Sequence, residues 1–579
     1  MIEKQKNPGL WLLIIGVVFI IPYAYHPLTI DPVLSFRFNI WAVLAFVLFS
    51  VITGKKLKTE CDFKIFSRRI FIVLICFALI TMVSFTRAIN LSEAVFDFQK
   101  QVLVFLFFYI VSVIAGLDTD NVYLIAKSVV VSGIFFSIIG ISGFFINQHY
   151  LLMANKNLFS SALFLMSPFV LFGAFNFSGL WKILSLISTT GIHCAIFLTR
   201  TRSVWLAICL SAVFVFLCLN FKKKQQKKNS FNTKTIRLIA MSTVLFIVSG
   251  SFFFMDQNFY SPILSTKTLE KRIELWENTI NMIKDNPFFG VGPGQWKINY
   301  PHYGHPATEK NVSGRKIQTV FQRPHNDYLG VLSEYGLFGF FFFIGFFIII
   351  LFYGIKIISH DNNDKTTLFI SFMLYGITGY MVIAFFSFPK ERIFHNVFLA
   401  LISGSIVSVY HRLFPLPKTN INFPIKWFHL GMMVMLVFFI GTGFMRMNSE
   451  VHAKKAIQAV KSGKWNIAIH ESDLADSPLY TIDTVSNPIA WYRGLANFSS
   501  GNIEDAIKDF KKALLQHPWH AHSHNNLGVC YANTGNLIKA RISFQNAILI
   551  SPFFKQALLN QHAILQFNGN KTLQNGSSD

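Results

Sequence analysis

Long apolar stretches, broken at short intervals by polar residues, recur along most of the chain. Thirteen runs stand out, at Leu10–Tyr25, Phe38–Thr53, Ile70–Thr86, Gln101–Leu117, Val122–Ile146, Asn157–Asn176, Lys182–Thr199, Ser203–Asn220, Leu238–Met255, Gly336–Ile355, Leu368–Phe388, Ile393–Tyr410 and Lys426–Met445. A helix of about 20 apolar residues crosses a hydrocarbon layer, so each run predicts a membrane span. The first follows Lys4 and Lys6 as a signal peptide would, but no small-x-small cleavage site follows it, and it is read as a span. Composition agrees. Of 579 residues, 53% are hydrophobic, 14% are charged and 65 are Phe, which excludes an ordinary soluble domain.

The formal charge of +24 raises the question of nucleic acid, and its distribution answers it in favour of lipid. Lys55, Lys56, Lys58, Lys64, Arg68 and Arg69 crowd one interspan loop, and Lys222, Lys223, Lys224, Lys227, Lys228, Lys234 and Arg237 another. Numbering spans from an inside N-terminus puts both loops inside, as basic loops should be. Thirteen crossings then put the C-terminus outside. Cys76, Cys194, Cys209 and Cys218 fall within spans, with Cys61 and Cys530 on opposite sides, so neither a disulfide framework nor a metal spacing emerges.

From about Asn448 the chain turns polar and repeats every 34 residues: Gly494/Gly528, Gly501/Gly535, Ala506/Ala540, Phe510/Phe544, Ala513/Ala547 and Pro518/Pro552. Small residues where two helices touch, an aromatic between them and a closing proline are the tetratricopeptide pattern. Gly463, Ala468 and Ala475 suggest a degenerate earlier copy, offset by 38. Such a tail either binds a protein partner in its groove or is a folded cap with no ligand. The expected organisation is all-α: a polytopic membrane bundle over 1–447, a soluble repeat domain over 448–568 and a disordered tail over 569–579.

The expected spans are nearly bare of charge, with His193 the one mid-span candidate, read as a packing residue. Ionisable groups gather instead at span ends and loops on the outer side. They include Arg200 and Arg202 in TRTRS, Arg272 in EKRIELW, and Arg323 and His325 in QRPHNDY. The long loop from Met255 to Tyr335 carries Leu269, Ile273, Trp276, Ile280 and Ile283 at helical spacing, an amphipathic helix stopped by Asn286-Pro287. Gly290, Gly292 and Gly294 read as a plain turn, because no strand precedes them and no Lys-Ser/Thr follows.

His325 and Asn326 are followed by nine residues and then Gly336, Leu337, Phe338 and Gly339, leading into a long apolar span. This resembles the motif of the O-antigen ligase and polymerase superfamily. The resemblance extends over RIELWENTINMIKDNPFFGVGPGQW, NKNLFSSALFLMSPF and TRTRSVWLA, most of residues 150–410. It implies an enzyme of the bacterial inner membrane, without metal or other cofactor. Such an enzyme takes a glycan from undecaprenyl diphosphate at the periplasmic face and transfers it to a hydroxyl on lipid A core, a glycan or a protein. The chemistry asks for the same parts. Guanidinium groups grip a diphosphate in a bidentate fork, for which Arg202 and Arg272 come first and Arg200 and Arg323 second. A histidine relieves the attacking hydroxyl of its proton, which selects His325. Asn326 or Asp327 could orient the ring and Glu334 position the acceptor, all three being equally ordinary helix-start and surface residues. Expected partners are the lipid-linked donor, the acceptor, membrane lipids and, where the tail is more than a cap, a protein at the repeat groove, but no nucleic acid. The readings from another class are a lipid-linked glycan flippase, which would place charge along an internal path, and a repeat-bearing receptor, which would leave His325 without a task.

Overall fold

The structure, a computed structural model, describes residues 8–56, 69–114, 119–146, 152, 153, 155–226, 267–304, 307–312, 315–415 and 425–575. Helix dominates because the apolar runs bury their backbone polar groups internally, as a hydrocarbon environment demands. The spanning helices are α2 (Leu34–Lys56), α3 (Arg69–Ser84), α4 (Leu91–Ile114), α5 (Thr119–Phe145), α6 (Lys156–Asn176), α7 (Gly179–Leu198) and α8 (Arg202–Gln226), then, beyond the long loop, Asp327–His360, Asp364–Phe386, Ile393–Leu413 and Ile425–Lys461. Among the described residues, these eleven are long and apolar enough to cross a membrane. The first run forms the shorter α1 (Pro8–Ile14), which loosens into a π turn over Ile15–Ile20 and a 3-10 turn over Ile21–Tyr23 at Pro22. The expected span Leu238–Met255 lies outside the described residues.

The helices Lys156–Asn176 and Ile393–Leu413 form the centre of the bundle and are buried over nearly their whole length. Those at the rim show water-hating side chains outward: Ile72, Ile75, Leu79 and Met82 on α3, Leu180, Ile183 and Ile187 on α7, Val434, Val437 and Phe438 on Ile425–Lys461. A continuous apolar exterior of this kind is stable only against lipid.

The long loop is structured. Its amphipathic segment is α9 (Lys267–Asp285), followed by α10 (Trp296–Tyr303) and a hairpin of β1 (Ala307–Val312) with β2 (Arg315–Val320). That antiparallel ribbon, Ala307 paired with Val320 and Val312 with Arg315, is a small addition to the all-α expectation. The loop ends at Asn326, whose side chain caps α11 (Asp327–His360).

Helix α11 is broken at Gly336, where φ is 66° and ψ −168°, a conformation open to glycine alone. The glycine turn at 290–294 fills the break. Val291 N donates to Ser333 O at 2.9 Å, Gly292 N to Glu334 O at 3.0 Å, and Leu337 N to Pro287 O at 2.8 Å, so backbone groups freed by the kink are re-paired. A side chain at Gly336 would overlap the backbone of Phe288, and one at Gly290 that of Glu334. The plain-turn reading of these glycines matches this packing.

The remaining elements are α12 (Asp364–Phe386), α13 (Ile393–Leu413), α14 (Ile425–Lys461), α15 (Trp465–Ala475), α16 (Ile489–Ser499), α17 (Ile503–Gln516), α18 (Ala521–Asn533), α19 (Leu537–Ile550) and α20 (Lys555–Asn575). The repeat period has a direct cause. A Cβ on Gly494 would sit 2.7 Å from the Phe510 ring and one on Gly528 2.6 Å from the Phe544 ring, so each glycine admits its aromatic partner. Gly501 and Gly535 turn the chain at φ 84° and 77°, and Gly463 does the same at 68° between α14 and α15. The degenerate first copy thus takes its first helix from the end of the last span, and the boundary expected at 447/448 falls inside one helix. Helix also runs through 569–575, where a disordered tail was expected: the segment is polar but contains no proline to stop it.

Candidate active site

Contacts between loops define one end of the bundle. Asp31 pairs with Arg392 at 2.7 Å, Asn90 N donates to the Gln295 side chain at 2.8 Å, Lys297 pairs with Glu93 at 2.8 Å, and Arg323 with Glu391 at 2.8 Å. These residues come from the α1–α2, α3–α4 and α12–α13 connections, the first turn of α4 and the long loop, and the repeat domain joins them. Arg446 of α14 pairs with Glu93 at 2.6 Å, and Glu450 accepts from Asp31 N at 2.8 Å.

His325 sits in the turn before α11 at φ 55°, a conformation that costs a side-chain-bearing residue about 1–3 kcal/mol. Two neighbours hold the turn. Trp276 Nε1 of α9 donates to Pro324 O at 2.9 Å, and Phe388 presents its ring edge-to-face to the imidazole at 5.0 Å. Arg272 lies one helical turn before Trp276 on α9 and so faces the same way. Burial, and then the Arg272 charge, push the His325 pKa down to about 4. Arg202, the first residue of α8, lies close enough to Arg272 that burial and its charge together lower the Arg272 pKa. Among the described residues neither guanidinium makes an ion pair with a carboxylate. Arg272 beside a neutral imidazole at the N-terminus of a long helix, with the second guanidinium behind it, forms a field that favours an anion.

The other expected residues divide differently. Arg200, at φ 54° in the TRTRS turn, lies toward Lys156 at the start of α6. Arg323 is in a buried charge network. Its partner Glu391 also meets Lys100 at 2.7 Å and Lys390 at 3.5 Å. Despite burial, Arg323, Lys100 and Lys390 together hold the Glu391 carboxyl well below the usual range, and Glu391 raises Arg323 in turn. The supporting trio is engaged elsewhere. Asn326 Oδ1 accepts from Tyr328 N at 2.9 Å and Leu329 N at 3.1 Å, Asp327 accepts from Lys390 N at 2.9 Å, and Glu334 accepts from Trp296 N at 3.2 Å. The ring of His325 makes no hydrogen bond among the described residues; ring packing and the turn set its position. His193 Nδ1 donates to Thr189 O of its own helix at 2.8 Å.

The reading of nearly bare spans needs correction. Helix α4 begins at Leu91 rather than near Gln101, and its first turns carry Glu93, Asp97 and Lys100, all buried. Asp97 pairs with Lys100 at 2.9 Å and accepts from the Tyr335 hydroxyl. The spacing Glu93, Asp97, Lys100 puts all three on one helical face, a signal present in the sequence. Lys390, Glu391 and Arg392 were also missed; their sequence PKER marks a turn but no role. These charges lie at the loop-bearing end of α4 and the α12–α13 turn, not along a path through the bundle.

Residues 183–344 match the O-antigen ligase family. The matched stretch runs from α7 past the Gly336 kink and contains Arg200, Arg202, Arg272, Arg323 and His325. Over that stretch the chain is similar to O-antigen ligases, and the eleven candidate spans among the described residues agree with a multi-pass membrane protein. Residues 521–554, which form α18 and α19, match the tetratricopeptide repeat family. The chain is also similar to the solved "Arabidopsis OM64 TPR domain", at 21% identity over 21% of this chain and 96% of that one, with a TM-score of 0.20. No curated protein matches its sequence.

Proposed function

We propose that this O-antigen ligase-like enzyme takes a glycan from undecaprenyl diphosphate and transfers it to a hydroxyl acceptor at the periplasmic face of the bacterial inner membrane. The observation that carries this reading is Arg272 beside His325 with Arg202 next to it, neither guanidinium paired with a carboxylate among the described residues. The two guanidiniums supply positive charge to hold the diphosphate and to stabilise it as it leaves, so the reaction as proposed needs no metal.

The acceptor hydroxyl attacks the anomeric carbon. A C–O bond forms to the acceptor, the bond to the diphosphate oxygen breaks with its electron pair leaving on the diphosphate, and the hydroxyl proton passes to His325. Direct displacement inverts the anomeric centre. An imidazole held near pKa 4 is a weak base, and the donor itself corrects this: its diphosphate offsets the Arg272 charge, so the ring gains basicity once the donor is bound. In this scheme Arg323, countered by Glu391, positions the turn that carries His325 instead of gripping the diphosphate. Lipid A core, a growing glycan and a protein hydroxyl are all chemically competent acceptors, with the lipid A core ranked first by the resemblance.

The test is reconstitution of the purified full chain in liposomes with a polyprenyl-diphosphate glycan and each acceptor in turn. Product formation with inverted stereochemistry is expected. Retained stereochemistry, or donor binding indifferent to loss of both Arg202 and Arg272, would overturn the scheme.

A further inference from the structure

The repeat domain is not a detached cap. Between α15 and α16 the connector 476–488 lies against the outer end of α4, where the Asn90 side chain donates to Thr481 at 2.9 Å and Arg446 donates to Leu479 O at 2.9 Å. Next to it, His302 of α10 stacks on Trp519 at 4.2 Å. Enclosed by connector, repeats and α10 is a cavity of about 110 Å³.

Three properties of this cavity point to one ligand chemistry. Its walls include the rings of Phe321, Trp519 and Phe554. Two buried polar atoms of its lining residues, Ser486 Oγ and His517 Nδ1, have no hydrogen-bond partner among the described residues, and their residues are only 4% and 2% exposed. An unpartnered buried polar atom is costly, and Ser486 is also held at φ 72°, a second cost at the same place. The cavity carries no net charge to attract an anion, since its one lysine, Lys297, is paired with Glu93 at 2.8 Å. A suitable occupant is therefore uncharged, presents C–H faces to aromatic rings and offers hydroxyls that both donate and accept. That describes a neutral pyranose ring.

Position gives the site its meaning. Lys297 also lines a second, polar cavity of about 60 Å³, together with Thr484, Arg323 and Phe388. Phe388 is the residue packed on His325. Ser486 and Thr484 lie two residues apart and Lys297 lines both cavities, so the cavities adjoin, the second reaching Phe388 beside His325.

We propose that the cavity between the repeat domain and α10 binds one neutral sugar of an acceptor glycan, whose next sugar extends through the polar cavity toward His325. The acceptor role rests on the transfer reaction proposed above; the sugar site itself does not, and the test separates the two.

The full chain is placed in lipid nanodiscs free of glycoside detergent. Saturation-transfer NMR is recorded with the methyl glycosides of glucose, galactose and N-acetylglucosamine. Saturable binding of at least one glycoside is expected, weakened at least about tenfold by Phe554→Ala and by Ser486→Gly, which removes the hydroxyl while relaxing the backbone. His325→Ala is expected to bind the sugar as the wild type does, whatever its transfer rate. Absence of saturable binding overturns the proposal, as does binding that both cavity variants leave unchanged. Capture of an extended Ser/Thr peptide, abolished by Phe554→Ala in place of sugar binding, would overturn it in favour of a polypeptide acceptor.

Discussion

At the residue scale the site is a balance between one base and two cations. His325→Ala is expected to reduce transfer by about 10²- to 10⁴-fold with donor binding retained, read by product assay against lipid-donor binding. The pH profile carries more information. In the free enzyme the His325 pKa is lowered to about 4, so kcat/KM should hold on its acid side until the pH approaches that value. The acid limb of kcat should lie higher, because the bound diphosphate offsets Arg272. Coincident limbs would show that donor and base do not communicate. The stability sign follows from the same shift. The folded pKa lies below the unfolded value of about 6.5, so the unfolded chain binds more protons between the two, and stability falls as pH drops through that window. For the cations, Arg272→Lys should bind donor more weakly than wild type yet better than Arg272→Ala, because lysine keeps charge and loses the fork. Equal binding by all three in a flotation assay would remove Arg272 from the donor site. His325 and Arg272 were legible as candidates from motif and spacing. That neither pairs with a carboxylate among the described residues was not, since it depends on where Glu391 and Glu93 point.

At the element scale the decisive feature is the broken helix α11. Gly336→Ala introduces a Cβ into the backbone of Phe288 at a φ/ψ that only glycine adopts readily. The strain alone is about 1–3 kcal/mol, and the overlap adds to it. The expected result is a lower melting temperature and loss of transfer together, because the glycine turn that docks on the kink also fixes α10 and the cavity walls. A variant that melts and transfers normally would show that the turn is not needed. Helix positions in the bundle followed from the apolar runs, but α4 starts ten residues earlier than its apolar run. Charged residues ended that run in the sequence, whereas the fold pairs Glu93, Asp97 and Lys100 with Lys297, Arg446, Glu391 and Lys390 and so lets the helix continue.

For the whole molecule, Glu93 is the junction of three parts, pairing Lys297 of the long loop at 2.8 Å and Arg446 of α14 at 2.6 Å from its place in α4. Glu93→Ala leaves two buried cations without their carboxylate and should cost about 3–5 kcal/mol, seen as a lower midpoint of thermal unfolding. Orientation is tested separately. A cysteine placed at Ser500 in the repeats should react with a membrane-impermeant maleimide in intact spheroplasts, and protection until lysis would put the repeats and His325 on the cytoplasmic side. By itself the sequence determined what depends on composition and period: spans, from runs long enough to hold every backbone hydrogen bond within one helix, and repeats, from a glycine recurring opposite an aromatic. Only the tertiary structure decided which charges neutralise one another and which stay open, and that the repeat domain closes over the loop-bearing end. Pairing of charges depends on distance in space, and residues such as Glu93 and Arg446, brought to 2.6 Å, are 353 positions apart in the chain.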